Sequence, residues 1–225
     1  MILKEKLISM EMDDLTLEDS VNPALEVEMN ENTLNLRLFG PITKGSDNSA
    51  DAFRKVLSEH PTVETIHLTI NSRGGDVDEA NAILQELQSF GAQIVVTVGN
   101  MAASAAGLVA MAGNHIRMFP TSSIMVHNPS TQWSGNAESF RHIADILDSR
   151  AEAVRKAYVM KAKGKISEEQ IKAFMDAETY LTADKCLEYG LCDEIIGLTP
   201  VMEENENQEE EPDEPTIEDD GWFFL

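Results

Sequence analysis

Ile94-Val95-Val96-Thr97-Val98-Gly99-Asn100-Met101-Ala102-Ala103-Ser104-Ala105-Ala106-Gly107-Leu108-Val109-Ala110-Met111 is the stretch on which the fold turns. Its first five residues are β-branched, and its second half is small and apolar. From Ala92 to Gly113 there is no charged residue, a length that suffices to cross a bilayer. Asn100 in the middle and the breaks at Gly99 and Gly107 argue against a membrane helix. The expected arrangement is a buried strand over Ile94–Val98, a turn, and a buried helix from Ser104 to Met111.

Upstream, the same alternation of strand and helix repeats. Leu25, Val27 and Met29, then Leu34, Leu36 and Leu38, alternate with polar residues around Asn30-Glu31-Asn32, the pattern of a β-hairpin. Ala50, Phe53, Val56 and Leu57 share one helical face between Ser49 and His60, and Pro61 closes that helix. Ile66, Leu68 and Ile70 form another strand. Gly74-Gly75 then lead into a helix from about Asp76 to Phe90, buried through Ala80, Ile83, Leu84 and Leu87. Strand and helix in turn, with connections long enough for a crossover, predict an α/β fold.

Downstream, His115–Met118 and Ser123–Val126 read as short strands. Phe140, Ile143, Leu147, Val154 and Tyr158 mark one face of a long helix over Ala137–Ala162, long enough to project from the body. Ser167-Glu168-Glu169-Gln170 has the form of a capped helix start. A short helix over Thr182–Tyr189 and a last strand over Asp193–Ile196 complete the domain. The organisation expected is an extension over 1–23, one domain over 24–200, and a tail over 201–225.

The tail is acidic. Glu203–Asp220 holds 11 Asp or Glu and no Lys or Arg, which predicts disorder. It ends on apolar Trp222-Phe223-Phe224-Leu225, which reads equally as a docking peptide or a surface extension. The net charge is −23, and the body is acidic as well. That excludes nucleic acid as an expected partner, since phosphate binding needs clustered cations. Two cysteines, Cys186 and Cys192, make neither a disulfide framework nor a zinc spacing, so no metal or cofactor is expected. The N-terminus shows no signal-peptide pattern, which points to the cytoplasm.

Three places carry candidate chemistry. Ser104 stands between a strand and a helix among small residues that let a substrate backbone approach; the same position suits an N-cap serine. Gly74-Gly75, in Asn71-Ser72-Arg73-Gly74-Gly75-Asp76-Val77, can turn backbone N–H groups outward as oxyanion donors, or simply make a turn. No Lys-Ser/Thr follows, so a phosphate loop is not expected. Of five histidines, His127 alone sits at a strand end just beyond the serine segment, before Asn128-Pro129, where an imidazole suits general-base work near neutral pH.

Together, NSRGGDV, GNMAASAAGLVAMAG and MVHNP, in that order and spacing, resemble the ClpP serine peptidases. The resemblance runs from about Leu34 to Ile196. It implies the ClpP/crotonase-type fold, a spiral of ββα units with a protruding handle helix, here Ala137–Ala162. By the same resemblance Ser104 matches the nucleophile, His127 the base, and the N–H groups of Gly75 and Ala105 the oxyanion hole. The family's aspartate aligns with Glu178, with Asp176 two residues away as the alternative. Arg73 stands where the family usually has proline. The implied activity is peptide-bond hydrolysis through an acyl-enzyme, on protein or peptide substrates, in a homo-oligomeric ring. Either an AAA+ unfoldase or phage capsid and scaffold proteins fit as partners, and Arg73, Glu178 and the acidic tail lean toward the phage type. A crotonase-type acyl-CoA enzyme and a non-catalytic ring subunit are the alternatives.

Overall fold

Leu34, Leu36 and Leu38 are at most 1% exposed and start the core of the protein, whose computed structural model describes residues 25–197. The expected extension over 1–23, the acidic run and the apolar tip lie outside the described residues. β1 (Glu26–Asn30) and β2 (Thr33–Phe39) form the hairpin, antiparallel across Glu31-Asn32. Val27 and Met29 are 41% and 43% exposed, β1 being an edge strand among the described residues.

α1 (Ala50–Glu59) follows, capped by Ser49, whose hydroxyl accepts from the Ala52 N–H. β3 (Thr65–Ser72), α2 (Val77–Ser89), β4 (Gln93–Ala103), α3 (Ala105–Ala110) and β5 (His115–Met118) continue the alternation. β2, β3, β4 and β5 pair in parallel, so each helix is a crossover. Ile66, Leu68, Ile70, Val96, Val98, Ile116 and Met118 fill the same face of the sheet as the β2 leucines. Each such burial contributes about 1.5–3 kcal/mol before conformational costs. Asp76 caps α2, its Oδ1 accepting from the N–H groups of Asp78 and Glu79.

β4 overturns one expectation. Gly99–Ala103 is not a turn but the second half of an 11-residue strand. Between the pairs Ile70/Val98 and Ser72/Ala102, β4 gains two residues on β3, and the sheet divides there. Val95–Val98 pairs with β5, while Met101–Ala103 pairs with β6 (Ser123–Val126). The buried Ser122 hydroxyl donates to the Val98 carbonyl at 2.9 Å, satisfying a polar group at the irregularity. The charge-free stretch is thus strand and helix, both packed in the core. Among the described residues no helix is long and apolar enough to cross a membrane.

α4 (Ala137–Ala162) is about 39 Å long. Its buried residues are Ala151, Val154, Tyr158 and Ala162, all in the second half. The first half leaves the body, with Phe140 50% exposed and Ile143 and Leu147 half-buried. α5 (Glu168–Asp176) starts with the expected capping box between Ser167 and Gln170. β7 (Thr179–Thr182), which no periodicity announced, runs antiparallel to β6. α6 (Ala183–Glu188) and β8 (Glu194–Ile195) end the sheet, β8 beside β5. This eight-stranded α/β arrangement with its long helix is consistent with the fold that the sequence resemblance implies.

Candidate active site

Ser104 joins β4 to α3 with φ 53° and ψ −124°, a conformation that non-glycine residues rarely hold. Its N–H donates to the Met125 carbonyl at 2.8 Å, and its own carbonyl accepts from Gly107 at 3.0 Å. The backbone is therefore fixed from both sides. The side chain makes no capping bond, unlike the serines before α1 and α5. Instead, Ser104 Oγ lies 2.6 Å from His127 Nε2. The strain aims the hydroxyl outward and β6 delivers the ring. A hydroxyl held this close to an imidazole nitrogen can pass its proton to it.

Gly74 and Gly75 pack against this junction where no side chain fits. A Cβ on Gly74 would lie 2.5 Å from the Ala103 carbonyl oxygen, and one on Gly75 2.1 Å from that of Ile42. Ile42 donates to the Gly74 carbonyl and accepts from Asp76, both at 2.8 Å. Those bonds flank Gly75, so its own N–H points the other way, toward the cavity that it lines. Ala105 is the first residue of α3, and its N–H has no acceptor within the helix.

The cavity measures 290 Å³. Gly75, Ser104 and His127 line one side; Leu108, Val126 and Val154 supply apolar wall. Asp78, Arg150 and Tyr158 also line it, and sequence reading missed the first two. They stand 72 residues apart, and no local pattern links them.

The two candidate carboxylates differ. Asp176 Oδ1 accepts from Asn128 Nδ2 at 2.9 Å, and Oδ2 accepts from Lys172 Nζ at 2.6 Å. The hydrogen bonds from Lys172 and then Asn128 hold its carboxyl below the usual range. Glu178 is exposed, in a left-handed backbone conformation with φ 49°. Neither carboxylate hydrogen-bonds His127 among the described residues. The structure thus brings Ser104, His127, Gly75 and Ala105 together and leaves the carboxylates outside that group.

The remaining histidines serve elsewhere. The His60 ring bonds the Val56 carbonyl at 2.8 Å, and His115 meets Glu194 at 3.0 Å. Cys186 and Cys192 are buried free thiols. Burial raises both, Cys192 to about 11, which keeps them protonated and inert. A model of the Clp protease family matches residues 29–199, about three quarters of the chain and every element just described from the end of β1 onward, and the chain belongs to that family of peptidases.

Proposed function

We propose that the chain is a serine endopeptidase in which Ser104 is the nucleophile and His127 the general base. One observation carries the reading: the 2.6 Å approach of Ser104 Oγ to His127 Nε2 at a strained strand-to-helix junction. Ser104 Oγ attacks the peptide carbonyl carbon as its proton passes to Nε2. The carbonyl electron pair moves onto oxygen, which the N–H groups of Gly75 and Ala105 hold. Collapse of this intermediate expels the amine, which takes the proton from His127 and leaves an ester on Ser104. Water then attacks the ester, with His127 again the base, and the acid product departs.

Glu178 is the group that orients His127. The reading is supported by its position beside the last pair of the β6–β7 ladder, Val126–Thr179, and by a carboxylate that makes no hydrogen bond among the described residues. Asp176 is already committed to Asn128 and Lys172.

The substrates are proteins or peptides, and the working form is a homo-oligomeric ring in the cytoplasm. The projecting half of α4, with Phe140 exposed, supports a contact between copies. Within that reading the chain processes phage capsid or scaffold proteins, or serves an AAA+ unfoldase. A fluorophosphonate probe tests the core of the proposal. Labelling of the wild type at Ser104, lost in Ser104→Ala, is the expected result. Turnover of acyl-CoA thioesters without labelling would support a crotonase-type enzyme instead, and neither activity would leave a non-catalytic ring subunit.

A further inference from the structure

α4 passes the cavity with Arg150, Val154 and Tyr158, spaced by four and therefore on one face. Tyr158 is buried at the foot, its hydroxyl 2.5 Å from where a Gly107 Cβ would stand. Val154 is 8% exposed. Arg150 stands at the mouth, its side chain 37% exposed. Across from it is Asp78, in the first turn of α2, three residues after Gly75.

The two meet fork to fork. Arg150 Nε donates to Asp78 Oδ1 at 2.9 Å, and Nη2 donates to Oδ2. Such paired bonds fix orientation as well as distance. Among the described residues each is the other's sole ion-pair partner. Asp78 is also held from behind, since its N–H donates to Asp76 Oδ1 at 2.8 Å. Arg150 immediately precedes Ala151, the first buried residue of α4, so the pair clamps the helix where it leaves the body.

We propose that the Arg150–Asp78 pair is a specificity-determining wall of this pocket, limiting the substrate side chain seated beside Ser104 to aliphatic residues of moderate size. The inference rests on the serine-peptidase reading. Leu108, Val126 and Val154 give the cavity an apolar lining, and both partners of the ion pair line it as well. An aromatic ring entering this space meets the guanidinium. Removing either partner vacates the wall: without Arg150 the volume is free, and without Asp78 the arginine turns to water. The pair is open to solvent, Arg150 in part and Asp78 mostly, so it adds little to folding and its loss leaves the fold in place.

The experiment uses the full chain with fluorogenic peptides that differ only in leucine, phenylalanine or tryptophan before the scissile bond. Active sites are counted with a fluorophosphonate probe. In Arg150→Ala and in Asp78→Ala, the ratio of kcat/KM for phenylalanine and tryptophan over leucine should rise on the order of 10-fold. The double variant should rise no further, as expected of residues acting as a unit. Arg150→Lys, which keeps one bond, should fall between. A purely structural loss would lower all three substrates together and leave the ratio unchanged, so an unchanged ratio in both single variants at normal labelling overturns the wall. A rise in Arg150→Ala alone would assign the effect to the arginine and overturn the pair. A wild type that neither labels nor cleaves overturns the serine-peptidase reading, and the inference with it.

Discussion

His127 and Glu178 are the residues that immediately adjoin the last pair of the β6–β7 ladder, Val126 with Thr179. The chain turns at Glu178, where φ is 49°, so its carboxylate is exposed and His127 has no carboxylate bond. On the proposed mechanism Glu178 is the partner that holds imidazole in the right tautomer. Glu178→Gln should therefore cut peptide turnover on the order of 10²-fold or more and leave thermal unfolding nearly unchanged. Asp176→Asn should lose its bond from Lys172 and little activity. The reverse ranking would move the orienting role to Asp176.

Ser104→Ala and His127→Ala should each lower kcat on the order of 10⁴-fold, and the double variant hardly further, because the two act as one device. Ser104→Ala has a second expected effect. The 2.6 Å bond to Nε2 disappears, yet the φ of 53° remains imposed by the Met125 and Gly107 bonds. Near-normal turnover in either single variant, measured with a peptide substrate after removal of contaminating host peptidases, would end the assignment.

The serine and histidine were legible because each sits at an element boundary flanked by a pattern. The β-branched run before Ser104, the small residues after it and the Asn-Pro turn after His127 all mark where chain direction changes. Burial of Leu34, Ile66, Ile94 and Ile116 on one sheet face follows directly from period-two alternation. What escaped was decided by contacts distant in sequence. β1 alternates like a buried strand but is an edge, and Val27 and Met29 are exposed among the described residues. Gly99-Asn100 looked like a turn, yet β3 and β6 continue the ladder past it. β7 buries only Leu181 of its four residues, where β5 and β6 bury two each, so no alternation marks it. The Arg150–Asp78 pair joins α4 to α2 and leaves no trace in either local sequence.

The first half of α4 offers a test of assembly. Phe140, Ile143 and Leu147 continue the face that Val154 and Tyr158 bury, but among the described residues Phe140 is exposed and Ile143 and Leu147 are only half-buried. A ring built of these subunits, stacked through this helix, would hide them. The full chain should give a native mass of two stacked rings, and Phe140→Glu with Leu147→Glu should halve it. A monomer at micromolar concentration that is fully active on folded protein would contradict the ring.

Lys161 and Asp193 tie the far end of α4 to the sheet. Lys161 Nζ lies 2.7 Å from Asp193 Oδ2, and the lysine side chain is only 6% exposed. The same ammonium donates to the Gly113 carbonyl at 3.2 Å, and Asp193 Oδ2 accepts from the Ile116 N–H at 2.7 Å. Burial by itself would raise the Asp193 carboxyl. The hydrogen bonds from Lys161 and Ile116, with the lysine's charge, outweigh it and hold the group below its usual value. A carboxyl lowered by folding stabilises the native state above its unfolded pKa, about 3.9, and loses that contribution as pH falls through the lower folded value. Asp193→Asn should therefore destabilise the protein at pH 7, by about 1.5–3 kcal/mol, because it removes the charged acceptor of the Lys161 hydrogen bond. The difference from wild type should shrink as urea titrations are repeated from pH 5 down to pH 3. A gap that stays constant over that range would show that Asp193 acts through packing and not through its charge.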